Sequence, residues 1–257
     1  MTKAKVFHEL HHRETPLVLP NAWDFGSAAM LVAEGFPAVG TTSLGVAAGA
    51  GLADGAGVTR DETLALAARL ALLSVPVTVD IEGGFSEDPG TVADYVARLS
   101  ELGIAGVNLE DGRAEAGLAV TGQQAELIAA VKDRSPEIFV NARVDTHWLQ
   151  LDEDSTLARA DAYARAGADG IFVPGLRDPE EIAATVAAVP LPVNVLYLTT
   201  GPSVAELAAL GVQRVSTGSL LYRAALAATV DIARAVRDGA PVAGGIPSYR
   251  DVQHRAP

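Results

Sequence analysis

The chain contains no cysteine, which excludes disulfides, thiolate metal sites and cysteine nucleophiles. Lysine is almost as scarce: only Lys3, Lys5 and Lys132 occur, and none ends an apolar run, so Schiff-base chemistry has no nucleophile. With 5 histidines, none clustered at a strand end, a zinc-dependent aldolase or amidohydrolase site is also excluded. Positive charge is thin overall. Lys and Arg total 19 against 32 acids, and a net charge of −13 argues against nucleic acid and anionic membrane as partners. No apolar run reaches membrane-span length, and no glycine-rich phosphate loop of the P-loop type is present. The first dozen residues are polar and lack the apolar centre of a signal peptide, so a soluble cytoplasmic protein is expected.

What is present points to one wound α/β unit. At 49% hydrophobic residues and a mean hydropathy of +0.24, the chain can bury a large core. One pattern recurs: an Ala/Leu-rich helical stretch, a glycine, then a β-rich run. It is seen at Gly35-Phe-Pro-Ala-Val-Gly40, Gly103-Ile-Ala-Gly-Val-Asn108, Gly167-Ala-Asp-Gly-Ile-Phe172 and Gly211-Val-Gln-Arg-Val-Ser216. Glycine after a helix and before a buried strand is the αβ junction of a parallel fold. Strands are expected at 17–23, 38–43, 77–83, 106–111, 138–145, 170–175, 192–198 and 214–219. Helices are expected between them, for example at 89–102, 153–166 and 179–188. Eight near-equal units favour a (β/α)8 TIM barrel in a single domain, residues 1–257, over an open doubly wound sheet. A Pro/Gly-rich tail covers 241–257.

The stretch 76–84 carries the chemistry. Val77, Val79 and Ile81 alternate with Thr78, Asp80 and Glu82, so the two acids share a face just before Gly83-Gly84 stop the strand. Ligand sites of parallel folds lie at that end of the strands. The pair is either a solvated strand end or the seat of a hard divalent cation. Other strand ends offer Asn21, Trp23, Asp24, Thr42, Ser43, Asn108, Glu110, Asp111, Asn141, Arg143, Asp145, His147 and Asn194. Arg143 would clamp a substrate carboxylate or form a buried ion pair with Glu110 or Asp80. Asp111 and Asp145 suit capping as well as a metal, and Asn21 and Trp23 suit turn chemistry and packing. His8 and His12 are spaced i,i+4, without further ligands beside them. After Ser43 a long glycine-rich stretch (Gly45, Gly49, Gly51, Asp54, Gly55, Gly57) precedes Arg60 and reads as a mobile gate or a passive connector.

Several of these segments resemble, in the same order, the isocitrate lyase/phosphoenolpyruvate mutase superfamily. They are Leu19-Pro-Asn-Ala-Trp-Asp24, Thr41-Thr-Ser-Leu-Gly45, Val79-Asp-Ile-Glu-Gly-Gly84, Asn108-Leu-Glu-Asp111, Asn141-Ala-Arg143 and Ala168-Asp-Gly-Ile-Phe-Val173, over residues 17–225. The resemblance implies an (α/β)8 barrel whose terminal helix packs on a neighbouring subunit, in a homodimer or homotetramer. It also implies Mg2+, with Mn2+ as a substitute, holding a 2-oxo acid or its enolate at the mouth. Carried over by position, Asp80 would bind the metal directly, with Glu82 and Glu110 holding it mainly through waters. Thr42, Ser43 and Leu44 would donate to the substrate, Arg143 would bind its anionic group, and Asp54 would be the acid on the gating loop. Trp23 and Asn194 join the substrate-binding candidates; Asp54, Arg143 and Glu110 are the catalytic ones.

The departures are specific. Lyases that cleave isocitrate or methylisocitrate carry a Lys-x-Cys-Gly-His loop after strand 4, whereas this chain has Glu110-Asp-Gly-Arg-Ala-Glu-Ala-Gly117. The asparagine of phosphonopyruvate-type members is missing between Asp111 and Gln123, Pro174 replaces the mutase histidine, and Glu82 stands where aspartate is usual. The expectation is a Mg2+-dependent lyase or hydrolase. It would cleave a C–C bond in a small 2-oxo acid or 2-hydroxy di- or tricarboxylate through an enolate, with Asp54 or a water moving the proton. Phosphonopyruvate-like P–C chemistry is the alternative, and a non-catalytic 2-oxo acid binding protein is the second.

Overall fold

Proline decides how the sheet begins. The structure is a computed structural model and describes residues 1–113, 117–242 and 244–255. After helix α1 (Lys3–Leu10), strand β1 (Leu17–Leu19) is separated from β2 (Asn21–Ala22) by Pro20, which has no N–H for a ladder. There follow α2 (Phe25–Ala33), β3 (Val39–Thr41), α3 (Ser43–Ala50), α4 (Arg60–Leu70), β4 (Val77–Asp80), α5 (Pro89–Glu101) and β5 (Gly106–Glu110). A small antiparallel pair, β6 (Gly112–Arg113) and β7 (Gly117–Leu118), leads to α6 (Thr121–Arg134), β8 (Phe139–Arg143), α7 (Thr146–Leu149) and α8 (Thr156–Arg165). The chain continues through β9 (Gly170–Val173), α9 (Pro179–Ala188), β10 (Val193–Leu196), α10 (Val204–Ala209), β11 (Arg214–Ser216), α11 (Leu220–Asp238) and α12 (Tyr249–Gln253).

Nine parallel segments form one sheet in the order β2-β3-β4-β5-β8-β9-β10-β11-β1. Leu17 pairs with Arg214 and Asn21 with Gly40, so the two halves of the first strand join opposite edges. Nine segments thus make eight staves of a nearly closed barrel, as the eight repeats predict. The single strand expected at 17–23 is corrected to two, split at Pro20.

Alternation sends one set of side chains outward and another inward. Val79, Val107, Val140, Ile171, Val195 and Val215 face the helices and share a buried cluster with Val92, Val96, Leu99, Ile128 and Val131. The interior is polar. Arg214, fully buried, donates to Ser216 Oγ (3.1 Å) and Asn108 Oδ1 (3.2 Å), and Asn141 Nδ2 donates to the same Asn108 oxygen (2.9 Å). Burial lowers the Arg214 pKa to about 9, with Asp80 acting in the opposite direction. Beneath, α1 closes the N-terminal end: Phe7 and Leu10 cluster with Leu17, Leu19, Ala38, Ala105 and Phe139, and the His11 ring stacks on Phe139 at 4.1 Å.

Two expectations near the mouth need correction. The glycine-rich stretch after Ser43 is not all loop, since 43–50 is helical. Gly45 serves close packing there: a Cβ on it would lie 2.6 Å from Trp23 Cβ. Gly51, at φ +72°, then ends the helix. The strand expected at 77–83 stops at Asp80, and Glu82 adopts φ +49°. Among the described residues no helix is long and apolar enough to cross a membrane. Of the tail, residues 243, 256 and 257 lie outside the described residues, as do 114–116 of the loop after β5.

Candidate active site

The C-terminal ends of the strands open into one cavity of about 430 Å3. Asp80, Asn108, Glu110 and Arg143 reach its wall from β4, β5 and β8, as strand parity requires. Thr42, Ser43 and Leu44 line it from the first turn of α3, where no side chain caps the free N–H groups. Helix N-termini of this kind receive anions. Asp54 and Gly55 complete the wall from the loop between α3 and α4.

Arg143 is held by two acids. Its Nη1 lies 2.6 Å from Glu110 Oε2 and its Nε 2.6 Å from Asp145 Oδ1. The buried ion pair is therefore realised, and it leaves part of the guanidinium edge to face the cavity. Burial opposes the arginine's charge, but Glu110, Asp145 and Asp80 outweigh it and raise its pKa above the ordinary value. Burial, with nearby carboxylates adding and Arg143 offsetting, pushes Glu110 up to about 8 and Asp80 up to about 6. Asp145 is raised mainly by burial too. Trp148 and Phe172 flank the arginine at 5.9 and 5.8 Å from its guanidinium carbon.

Asp111 is a brace. Its Oδ1 accepts the Asp145 N–H (2.8 Å), and its Oδ2 accepts from Tyr163 (2.7 Å) and Arg159 (3.1 Å). Asn21 is a turn residue, accepting from the Thr217 and Gly218 N–H groups (both 3.0 Å) and donating to Thr41 O (2.7 Å). Three of the residues expected to bind substrate or metal are not on the cavity wall. Trp23 packs on Gly45 and on Tyr222, Asn194 accepts from Ser216 inside the barrel, and Glu82 turns to the loop before α4. His8 sits 4.0 Å from Asp169. His147 faces Glu153 at 3.7 Å.

Sequence reasoning passed over Arg113 and Trp148. Arg113 lines the cavity and donates to Glu110 O (2.9 Å), Gly112 O (2.8 Å) and Gln124 Oε1 (2.9 Å). Its position three residues after Glu110 was the available signal.

The acids suit a hard divalent cation. Among the described residues the Asp80 carboxylate accepts one hydrogen bond, from the Glu82 N–H (3.1 Å), and burial disfavours its charge, with Arg143 offsetting and Asp54 and Glu82 adding. Among the described residues no three His, Asp or Glu side chains form a ready metal cage. Mg2+ keeps several waters and uses one or two carboxylates, so Asp80 with Glu110 nearby matches its needs.

A nearly closed parallel barrel with acids, an arginine and a helix N-terminus at its C-terminal rim has the architecture of a barrel enzyme. Residues 7–237 match the sequence model of the phosphoenolpyruvate phosphomutase family, and the chain belongs to that family. An uncharacterised protein of Mycobacterium tuberculosis is 51% identical over 251 residues, covering 97% of this chain and 95% of its own. The phosphoenolpyruvate phosphomutase of Streptomyces hygroscopicus is 32% identical, covering 82% and 72%. A solved structure from Burkholderia cenocepacia, described as a lyase/mutase, matches with a TM-score of 0.90 at 38% identity, covering 98% and 94%. Relatives also include an oxaloacetate decarboxylase of Ectopseudomonas mendocina (32% identical; 74% and 69% covered) and a 2-methylisocitrate lyase of Bacillus subtilis (31%; 72% and 64%). The family thus spans lyases and phosphomutases.

Proposed function

We propose that the protein is a Mg2+-dependent enzyme that cleaves a C–C bond in a small 2-oxo acid or 2-hydroxy di- or tricarboxylate through an enolate. One observation carries this reading: the acids of β4 and β5, the free N–H groups of α3 and Arg143 all face the same cavity. Asp80 would bind the metal, with Glu110 nearby, and the ion would supply positive charge beside an enolate oxygen. The first-turn N–H groups at Ser43 and Leu44 orient the substrate carboxylate, and the open edge of Arg143 binds its second anionic group. Asp54, on the loop above, stands where a proton is delivered to or taken from the substrate carbon. Trp148 and Phe172 shield the arginine from water.

The alternative is P–C bond chemistry, favoured by the family match itself. Pro174 on the cavity wall, where a mutase histidine would stand, counts against it. A binding protein without turnover would keep the metal and lose nothing in Asp54→Ala.

Calorimetric titration with oxalate, an enolate mimic, tests the site without naming the substrate. Binding that requires Mg2+ and disappears with EDTA and in Asp80→Ala is expected. Absence of binding in both conditions would end this reading.

A further inference from the structure

Glu82 follows Asp80 by two residues, yet its side chain leaves the cavity. Its backbone is in the left-handed region (φ +49°), which a non-glycine residue occupies only where its surroundings hold it there. The side chain is 2% exposed. Oε1 accepts the Thr59 hydroxyl at 2.6 Å, and Oε2 accepts the Gly57 N–H at 2.8 Å. The same residue donates its N–H to Asp80 Oδ1 (3.1 Å) and accepts the Glu110 N–H on its carbonyl (3.0 Å). Glu82 therefore links both acids of the mouth to the segment between α3 and α4.

That segment has little else to hold it. Gly51, Gly55 and Gly57 all have positive φ, and residues 51–54 and 56–58 are exposed. Among the described residues, the bond from Gly57 to Glu82 is the sole hydrogen bond made by residues 53–58. Asp54 and Gly55 nevertheless form part of the cavity wall. Whatever keeps them there acts through Gly57 and Thr59.

We propose that Glu82 is a positioning residue whose carboxylate latches the 51–59 loop and thereby sets where Asp54 stands over the mouth. The role of Asp54 rests on the reaction proposed above; the latch does not. Aspartate at 82, one methylene shorter, would not span both donors from this backbone. Glutamine would keep both bonds, its oxygen accepting from Gly57 and its amide donating to a reversed Thr59 hydroxyl.

Thr59 separates a latch from a metal-binding role for Glu82. It is buried, lies off the cavity wall and caps α4 without any side-chain bond, so Thr59→Val removes only the contact to Glu82. Hydrogen exchange of the Gly57 amide, the N–H that Glu82 holds, is the primary readout, with Mg2+ and oxalate titration alongside. Thr59→Val should accelerate that exchange at least tenfold and leave Mg2+ affinity within twofold. Thr59→Ser should restore slow exchange, and Glu82→Gln should stay within threefold of the parent. Unchanged exchange in Thr59→Val would overturn the latch, as would Glu82→Gln losing Mg2+ affinity with its loop unaltered. If oxalate fails to bind the parent protein, the proposed reaction falls while the exchange result still decides the latch.

Discussion

Arg143 Nη1 and Glu110 Oε2 are 2.6 Å apart, and the same guanidinium reaches Asp145 through its Nε. One cation thus serves two buried acids, with Asp80 close by, and the mouth is short of positive charge. Glu110 titrates at about 8 instead of 4.5, and Asp80 at about 6 instead of 3.8. Native pKa values above the unfolded ones mean that the folded state holds the extra protons. Their stabilising contribution is complete below about pH 4 and is lost as pH rises through 6 and then 8. In EDTA, Tm should therefore fall between pH 5 and pH 8, and Arg143→Met should steepen the fall. Added Mg2+ should raise Tm more at pH 8 than at pH 5. Scanning calorimetry at both pH values reads all three, and a Tm that climbs from pH 5 to 8 in EDTA would contradict the charge balance.

Gly112 leaves room for Asp145. A Cβ at 112 would collide with Asp145 Oδ2, a rigidly held atom, since Asp145 is bonded to Arg143 and braced by Asp111. Gly112→Ala should displace the Asp145–Arg143 pair and weaken oxalate binding about tenfold, an effect of roughly 1.4 kcal/mol. Calorimetry, with circular dichroism to show an intact fold, checks it.

Asn21 closes the ring at its other side. Alanine there would strand the Thr217 and Gly218 N–H groups and the Thr41 carbonyl without their partner. The expected cost is about 3 kcal/mol, or ~6–12 °C in Tm. Thermal unfolding of Asn21→Ala measures it, and a change under about 2 °C would show that water replaces these bonds freely.

Helix α11 has 19 residues and buries none of them. Leu226 and Val230, one turn apart, are 48% and 46% exposed. We propose that this face packs on a second copy of the chain, in a homodimer or homotetramer. Leu226→Glu with Val230→Glu should give monomers in analytical ultracentrifugation, where the parent sediments as an oligomer. A monomeric parent would refute the assembly.

The barrel and most of its mouth were legible because both follow from alternation. Once β4, β5 and β8 are recognised, Asp80, Asn108, Glu110, Asn141 and Arg143 must share the inner face, and a parallel fold puts their ends at the ligand side. What escaped depended on local chemistry that a period of two does not encode. Pro20 divides a strand whose pattern runs straight through it. Gly45 and Gly49 read as flexible, although 43–50 is a helix whose Gly45 lets α3 approach Trp23. Glu82 was placed beside Asp80 by parity, but the strand ends two residues earlier than that argument needs, and a left-handed turn sends its carboxylate to Thr59. Asn194 does face inward as alternation demands, only too deep to meet the cavity. Depth within a barrel is set by stagger between strands, which no single strand reveals.

The split at Pro20 also bears on the order in which the chain is made. As synthesis proceeds from the N-terminus, the barrel strands β3 to β5 and β8 to β11 each find their preceding neighbour already extruded. For β1 the partner is β11, and Asn21 must wait for Thr217, 196 residues later. Through that interval Leu17 and Leu19 have no strand beside them, and the growing sheet keeps two open edges where a second nascent chain would pair. Completing the ring is thus a late, long-range event, and slow translation or truncation before residue 216 would leave an aggregation-prone open sheet.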